Sequence, residues 1–424
     1  METGNQAGTA AEAVARRSYG RLIAYLSART RDVAGAEDAL SEAFAAALAD
    51  WPVNGIPHTP EAWLLTVARR KLIDSARRAH SGAAAAEVMQ LIREMADGAG
   101  GAGDTGNTGD TGIPDERLRL MFACAHPAID RSVRAPLMLQ VILGFDAAAI
   151  ASAFLVSPAA MGQRLARAKN KIRAAGIPFR VPEHDELRER LDVVLDAIYA
   201  VYAEGWIDPL GTETRRRNLA QEGLWLGRLA VSLLPAEPEA LGLLALMLHT
   251  EARRDARRNA AGDYVPLAQQ DVARWNGPMI DEAEALLIEA STQQVIGRYQ
   301  LEAAVQSAHV VRRRSGSADG ADWAAIESLY SALLALTGSP VVAINHAVAL
   351  AGTRGPQAGL DALNALADDA RLANYQPYWA ARAGLLARCN QRREADQAYE
   401  RAIGLEADPA VRRFLQRQRD ALHP

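Results

Sequence analysis

From end to end, the apolar residues of this chain recur at the three-to-four-residue spacing of an α-helix. Period-two alternation of β-branched residues is nearly absent. A sheet cannot be built from that pattern, so the expected fold class is all-α. One tract breaks the periodicity. Residues 98–112 contain seven glycines in fifteen positions, which cannot pack and form a flexible tether. A short amphipathic stretch, Ala85–Met95, precedes it. The tract divides the chain into a helical block at 10–80, a linker at 81–114, a second block at 115–180 and a long helical extension at 185–424.

Composition sets limits on function. Of 424 residues 49% are apolar, enough for real cores, and the formal net charge is −4, so any nucleic-acid surface must be local. Cys124 and Cys389 are the only cysteines, and no His-x-x-x-His pair occurs, so neither a disulfide framework nor a metal site is expected. The longest apolar run, Leu241–Leu248, is far short of a membrane span, and the N-terminus lacks a signal-peptide pattern. A soluble, cytoplasmic protein with no membrane partner is expected. There is no Gly-rich phosphate loop and no nucleophile–base constellation. The chain therefore reads as a non-enzyme without a cofactor.

The first block carries two helices of opposite charge. From Asp32 to Asp50 there are five acids and no base. Val33, Ala36, Leu40, Ala43, Phe44, Ala47, Leu48 and Trp51 form its apolar stripe, and Asp38 and Glu42 stand opposite, beside Ser41. Carboxylates there would repel phosphate, so this face suits a basic protein partner. A Pro/Gly loop, Pro52–Pro60, leads into the second helix. There Leu64, Leu65, Ala68 and Leu72 face inward. Trp63, Arg70, Asp74 and Arg77 line the other side, with Lys71 and Arg78 beside them. An aromatic among cations is what a helix needs to hold a nucleic-acid backbone and stack on a base.

The second block is locally basic, with ten Lys/Arg against three Asp/Glu between Glu116 and Arg180. It contains a helix-turn-helix pattern. Asp146 caps a helix at Ala147–Phe154, a turn follows, and Ser157 caps the next helix with Pro158 in its first turn. Met161, Leu165, Ala168 and Ile172 point inward. Ala159, Gln163, Arg167 and Asn170 point outward, flanked by Arg164, Lys169 and Lys171. Small and polar residues at the start of such a helix admit it to a major groove, and the later cations hold phosphate.

In the extension, Pro238, Pro340, Pro377 and Pro409 each open a helix, at gaps of 102, 37 and 32, close to multiples of the 34-residue tetratricopeptide period. Ala395, Tyr399 and Ala402 have that repeat's small–aromatic–small spacing, and Trp323 and Tyr330 its aromatic pair. An irregular helical bundle is the competing reading.

Taken in order, these features resemble a bacterial extracytoplasmic-function (ECF) RNA polymerase sigma factor. The resemblance rests on Ala36–Phe44, on Pro60–Arg70, on 146–173 and on the stretch Pro114–Pro127. That last stretch is typical of a subgroup with a C-terminal TPR-like extension. It implies a sigma domain two bundle at 10–80, a helix-turn-helix sigma domain four at 115–180 and a regulatory array at 185–424. The implied partners are core RNA polymerase and promoter DNA. Asp32, Glu37, Asp38, Ser41 and Glu42 would meet polymerase. Trp63, Arg69, Arg70, Lys71, Asp74, Arg77 and Arg78 would engage the minus-ten element, with a flipped base received by the loop Pro52–Pro60. Ser157, Ala159, Gln163, Arg164, Arg167, Lys169 and Lys171 would read the minus-thirty-five element. Pro136 and Gly162 depart from the subgroup's pattern. Tyr199, Tyr202, Glu204, Gly205 and Trp206 could seat the extension against the sigma domains, or pack within the array alone. The alternative is a conventional helix-turn-helix regulator whose array senses a ligand or peptide. It leaves the acidic helix and the Trp/Arg helix unexplained.

Overall fold

The computed structural model describes residues 2–79, 115–154, 156–206, 214–314 and 321–422. Every regular element among them is helical, apart from an isolated antiparallel bridge between Arg258 and Tyr264. The stretch Ala85–Met95 and the glycine tract lie outside the described residues. The chain divides into two compact units, Met1–Gly205 with Asn218–Gly223, and Trp206–Arg217 with Leu224–Pro424.

The N-terminal unit is organised on α1 (Glu2–Thr30). This helix starts before the expected block at 10–80, because Ala7, Ala11 and Val14 extend its buried stripe toward the N-terminus. Leu22, Ile23 and Leu26 complete that stripe. Against it pack α2 (Val33–Asn54) and α3 (Pro60–Ala79). Asp32 caps α2, its carboxylate accepting from the Gly35 N–H at 3.1 Å. The helix runs through Pro52, one turn beyond the sequence expectation, and Gly55 (φ 88°) ends it. A proline in a last turn removes one ladder bond and leaves the rest intact.

The second block folds onto the same scaffold. Its helices are α4 (Arg117–Cys124), α5 (Arg131–Leu143), α6 (Ala147–Ala153) and α7 (Pro158–Ala174). The caps fall where the sequence puts them: Asp146 accepts from the Ala149 N–H at 2.7 Å, and Ser157 from the Ala160 N–H at 3.3 Å. Pro136 is buried within α5. α8 (His184–Trp206) belongs to this unit through Gly205, although the sequence assigns it to the extension. Its Arg190 donates to the Phe122 carbonyl at 3.1 Å. Cys124 is fully buried, and the His126 Nδ1 accepts the Ala128 N–H at 3.1 Å in the turn that follows.

α9 (Thr214–Leu233) contributes Asn218–Gly223 to the first unit and the rest to the other, where α10 (Pro238–Glu251) is buried almost all round. α11 (Gly277–Thr292) and α12 (Arg298–Arg314) pack on α10. Buried Glu239 of α10 accepts the N–H groups of Tyr299 and Gln300 at 2.9 and 3.1 Å, so a carboxylate satisfies the start of α12. Six further helices follow: α13 (Ala321–Thr337), α14 (Pro340–Thr353), α15 (Pro356–Asn364), α16 (Gln376–Arg388), α17 (Arg392–Leu405) and α18 (Pro409–Asp420). Short turns join α13 to α14, α14 to α15 and α16 to α17, giving an array of packed neighbours. Ala395, Tyr399 and Ala402 are all buried in it. Pro278 and Pro356 open helices too, and 3-10 turns interrupt the helical pattern between Arg254 and Arg274. The helix-opening prolines therefore do not keep one regular interval.

Two close contacts are testable. A methyl group on Gly20 would lie 2.0 Å from the Ile142 carbonyl oxygen, so only glycine lets α1 meet the end of α5. Gly20→Ala gains up to ~1 kcal/mol of helix propensity but meets rigid backbone, at a cost of about 1–3 kcal/mol or more. Its melting temperature should fall; an unchanged or higher value would contradict the contact. Glu239→Ala should destabilise the chain by roughly 1.5–3 kcal/mol, the range for hydrogen bonds to a charged group. Urea unfolding with an unchanged midpoint would remove Glu239 from that role.

Candidate polymerase and nucleic-acid interface

The apolar faces of α2 and α3 are consumed by the core, and this decides what remains outside. Val33, Ala36, Leu40, Ala43, Ala47 and Trp51 are buried, as are Leu64, Leu65, Ala68 and Leu72. Asp38, Ser41 and Glu42 stay exposed on α2, and Arg70 and Asp74 on α3. The two exposed faces meet where Lys71 reaches Glu42 at 2.9 Å. Such a surface pair adds little stability. It does place a basic ridge directly beside an acidic one.

Trp63 is half-buried rather than outward. Its ring meets that of Trp51 edge to face, with centroids 5.7 Å apart. Arg69 is also turned inward. Its Nη2 donates to the Tyr25 hydroxyl at 2.7 Å, and its guanidinium lies 5.4 Å from the Tyr25 ring centre. Arg29 covers the same ring at 3.6 Å. Arg69 therefore fastens α3 to α1, a role the sequence pattern alone did not suggest. The side chains of Arg77 and Arg78 lie outside the described residues.

Sequence reasoning also missed an apolar patch. Leu48, expected in the buried stripe, is 54% exposed, and Val53 and Ile56 beyond it are 81% and 45% exposed. Ala47 and Trp51 stay buried, whereas Leu48 lies at the flank of the stripe, about 100° around the helix from Ala47. The only available signal was the run of apolar residues around the Pro/Gly loop.

α7 presents the expected outward set. Ser157, Ala159, Gln163, Arg164, Arg167 and Lys171 are exposed, while Met161, Leu165, Ala168 and Ile172 are buried. Arg164, Arg167 and Lys171 line a groove of about 380 Å³ shared with Asp130, Ser132 and Val133 at the start of α5. Gly162 has open space where a side chain would be.

Lys169 behaves differently. It leaves the outward set and pairs with Glu37 of α2 at 2.5 Å, with both side chains largely covered (14% and 13% exposed). Arg173 reaches Asp32 at 3.2 Å. Two of the four acids assigned to a partner surface are thus occupied by α7. Burial holds the Glu37 carboxyl above the usual carboxylate range, and Lys169 only partly opposes that shift. The attraction therefore does not fully offset the desolvation of the acid. The same charge helps push up the Tyr19 hydroxyl and the Cys124 thiol, both raised chiefly by burial.

Residues 14–82 match the sigma-70 region 2 family, and residues 190–291 match a family of unknown function, DUF6596. An uncharacterized protein of Rhizobium meliloti (strain 1021) is 38% identical over 406 residues, covering 96% of this chain and 93% of that one. The chain belongs to the family of that rhizobial protein. No solved structure matches it. The sigma-70 region 2 match spans α2, α3 and the loop between them, so the paired ridges lie wholly inside the sigma segment. The match supports a sigma factor, a class that binds core RNA polymerase. No described helix is long and apolar enough to cross a membrane.

The placements of Arg69 and Arg70 separate packing from binding. Arg69→Ala should lower the melting temperature, because it removes a charge-assisted bond worth about 1.5–3 kcal/mol. Arg70→Ala should leave it unchanged. Equal melting temperatures for the two variants would refute the assignment.

Proposed function

We propose that this chain is an ECF-type sigma factor with a fused regulatory extension. The observation that carries the reading is the exposed acidic face of α2 beside the exposed basic face of α3, inside a segment matching sigma-70 region 2. In this reading Asp38, Ser41 and Glu42 dock first on a basic surface of core polymerase. Asp32 and Glu37 join when α7 withdraws. Arg70, Lys71, Asp74, Arg77 and Arg78 track the opened minus-ten strand. Trp63 and the apolar rim of Leu48, Val53 and Ile56 offer a platform for an unstacked base. Flipping costs a few kcal/mol, and stacking of about 1–3 kcal/mol per base can offset most of it.

α7 is the reader of the minus-thirty-five duplex. Its outward Ala159 and Gln163 enter the groove, and Ser157, Arg164, Arg167 and Lys171 hold position on phosphate. Promoter elements one to two helical turns apart are separated by roughly 34–70 Å. With Lys169 on Glu37 and Arg173 on Asp32, the two helices cannot span that interval. Promoter binding therefore breaks both pairs, after which Lys169 joins the cations facing DNA. The connection at 81–114 has a coil span of roughly 30–35 Å and more when extended, enough to let the blocks separate.

The extension is read as a TPR-like array acting in cis. The buried Ala395, Tyr399 and Ala402 and the short turns between its helices support this. Tyr199 and Tyr202, with ring centres 6.3 Å apart, form a stacked pair in the segment offered as its seat. The side chains of Glu204 and Trp206 lie outside the described residues.

Run-off transcription with core polymerase tests the reading: the full chain should produce transcripts from a specific promoter, and none from unrelated DNA. The double variant Asp38→Lys, Glu42→Lys should weaken polymerase binding about tenfold or more, as expected for charges placed against a like-charged surface, with an unchanged helical circular dichroism signal. Full affinity in that variant would remove α2 from the polymerase contact.

A further inference from the structure

α7 carries cations on two flanks. At about 100° per residue, Arg164, Arg167 and Lys171 fall on one side of the helix, and Lys169 and Arg173 almost opposite. Ala159, Gln163 and Asn170 lie between the two sets and are exposed. The first set lines the open groove beside the start of α5. The second set is taken up by α2: Lys169 by Glu37 at 2.5 Å and Arg173 by Asp32 at 3.2 Å.

The second flank is fitted to α2 rather than resting on it. Asp32 divides its carboxylate. Its Oδ1 accepts the Gly35 N–H that caps α2, and its Oδ2 meets Arg173. Arg173 is aimed by Asn170, whose Oδ1 accepts from the Arg173 Nη2 at 3.2 Å. Lys169 and Glu37 are 14% and 13% exposed, so each charge has exchanged most of its water for the other. Lys169 and Arg173 are one turn apart on α7, about 6 Å along the axis, and Asp32 and Glu37 are about 7.5 Å apart along α2. The charge spacings of the two helices match.

A helix in the major groove lies between two sugar–phosphate strands, and cations on each of its flanks hold one of them. α7 has both flanks, and in the free chain one of them already faces a row of negative charge. We propose that α2 is an internal competitor of DNA: its two carboxylates occupy the flank of α7 that would hold one strand of the duplex, and a basic protein surface that takes those carboxylates frees the flank for DNA. This rests on the reading of α7 as a duplex reader. It adds that the chain alone is held off DNA, and that a partner on α2 raises the affinity of α7 for the duplex. One shared helix face carries that coupling, so DNA on α7 also raises affinity for the partner.

The test compares the full chain with its double variant Asp32→Asn, Glu37→Gln, in the absence of polymerase. Asn still caps α2, and Gln keeps the size of Glu37, so the fold stands while both attractions are lost. Binding of a short fluorescent DNA duplex of mixed sequence should tighten about tenfold. The plot of log affinity against log salt should steepen by about 1–2, because two more cations reach phosphate. Glu289→Gln, Asp368→Asn removes the same charge at exposed positions of the other unit and should leave the slope unchanged. Spin labels on Ala45→Cys of α2 and Ala166→Cys of α7, both exposed positions, read the contact itself in a Cys389→Ser background. The parent chain should give one short distance, and the Asp32→Asn, Glu37→Gln variant an added longer population. Should that variant fail to fold, charge exchange decides: Lys169→Glu should separate the labels, and Glu37→Lys added to it should bring them together again. An unchanged label distance, unchanged duplex affinity in a chain whose labels have separated, or an equally steep slope in the distant control would overturn the proposal. Failure of the sigma reading shows separately, as a chain that opens and grips duplex yet yields no transcript with core polymerase.

Discussion

A single ammonium group, that of Lys169, holds the carboxylate of Glu37 inside the N-terminal unit. The two residues are 132 positions apart and sit on blocks joined only by the glycine-bearing connection. A pair at that separation must offset both the desolvation of its charges and the closure of a long loop. The raised proton affinity of Glu37 says that it does so incompletely. The apolar seam between α1, α4 and α5, tightened at Gly20, supplies the rest. The α2–α7 contact is thus held by its surroundings more than by its own charges, which is the condition for a contact that can open.

Helix caps and core stripes were legible in the sequence because both are local. Asp146 and Ser157 each accept the N–H that their position predicts, and the inward residues of α7 are all buried. What escaped the sequence depends on tertiary neighbours. Arg69 and Arg70 are adjacent cations, and only the position of Tyr25 on α1 makes one a fastener and leaves the other outside. Lys169 has the same chemistry as Lys171, yet two residues, about 200° around the helix, turn it to Glu37. Leu48 was counted in the apolar stripe, but it sits at the stripe's flank and is exposed while Ala47 and Trp51 beside it are buried. In the extension, Pro278 and Pro356 open helices that the interval between the other four prolines does not foresee.

These features give one mechanism for the sigma segment. Acidic and basic ridges lie side by side, and part of the acidic ridge is lent to the helix that would otherwise face DNA. In the proposed function, polymerase and promoter would compete with that internal contact, and engagement of one surface would favour release of the other.

The central claim is that α3 acts on DNA that polymerase has opened, which a conventional operator-binding regulator never does. Permanganate reactivity of promoter thymines, measured with the chain, with core polymerase and with both, reads that act directly. The account predicts reactive thymines in the minus-ten region only when both proteins are present. Protection of an intact duplex by the chain alone, with no polymerase-dependent reactivity, would contradict it.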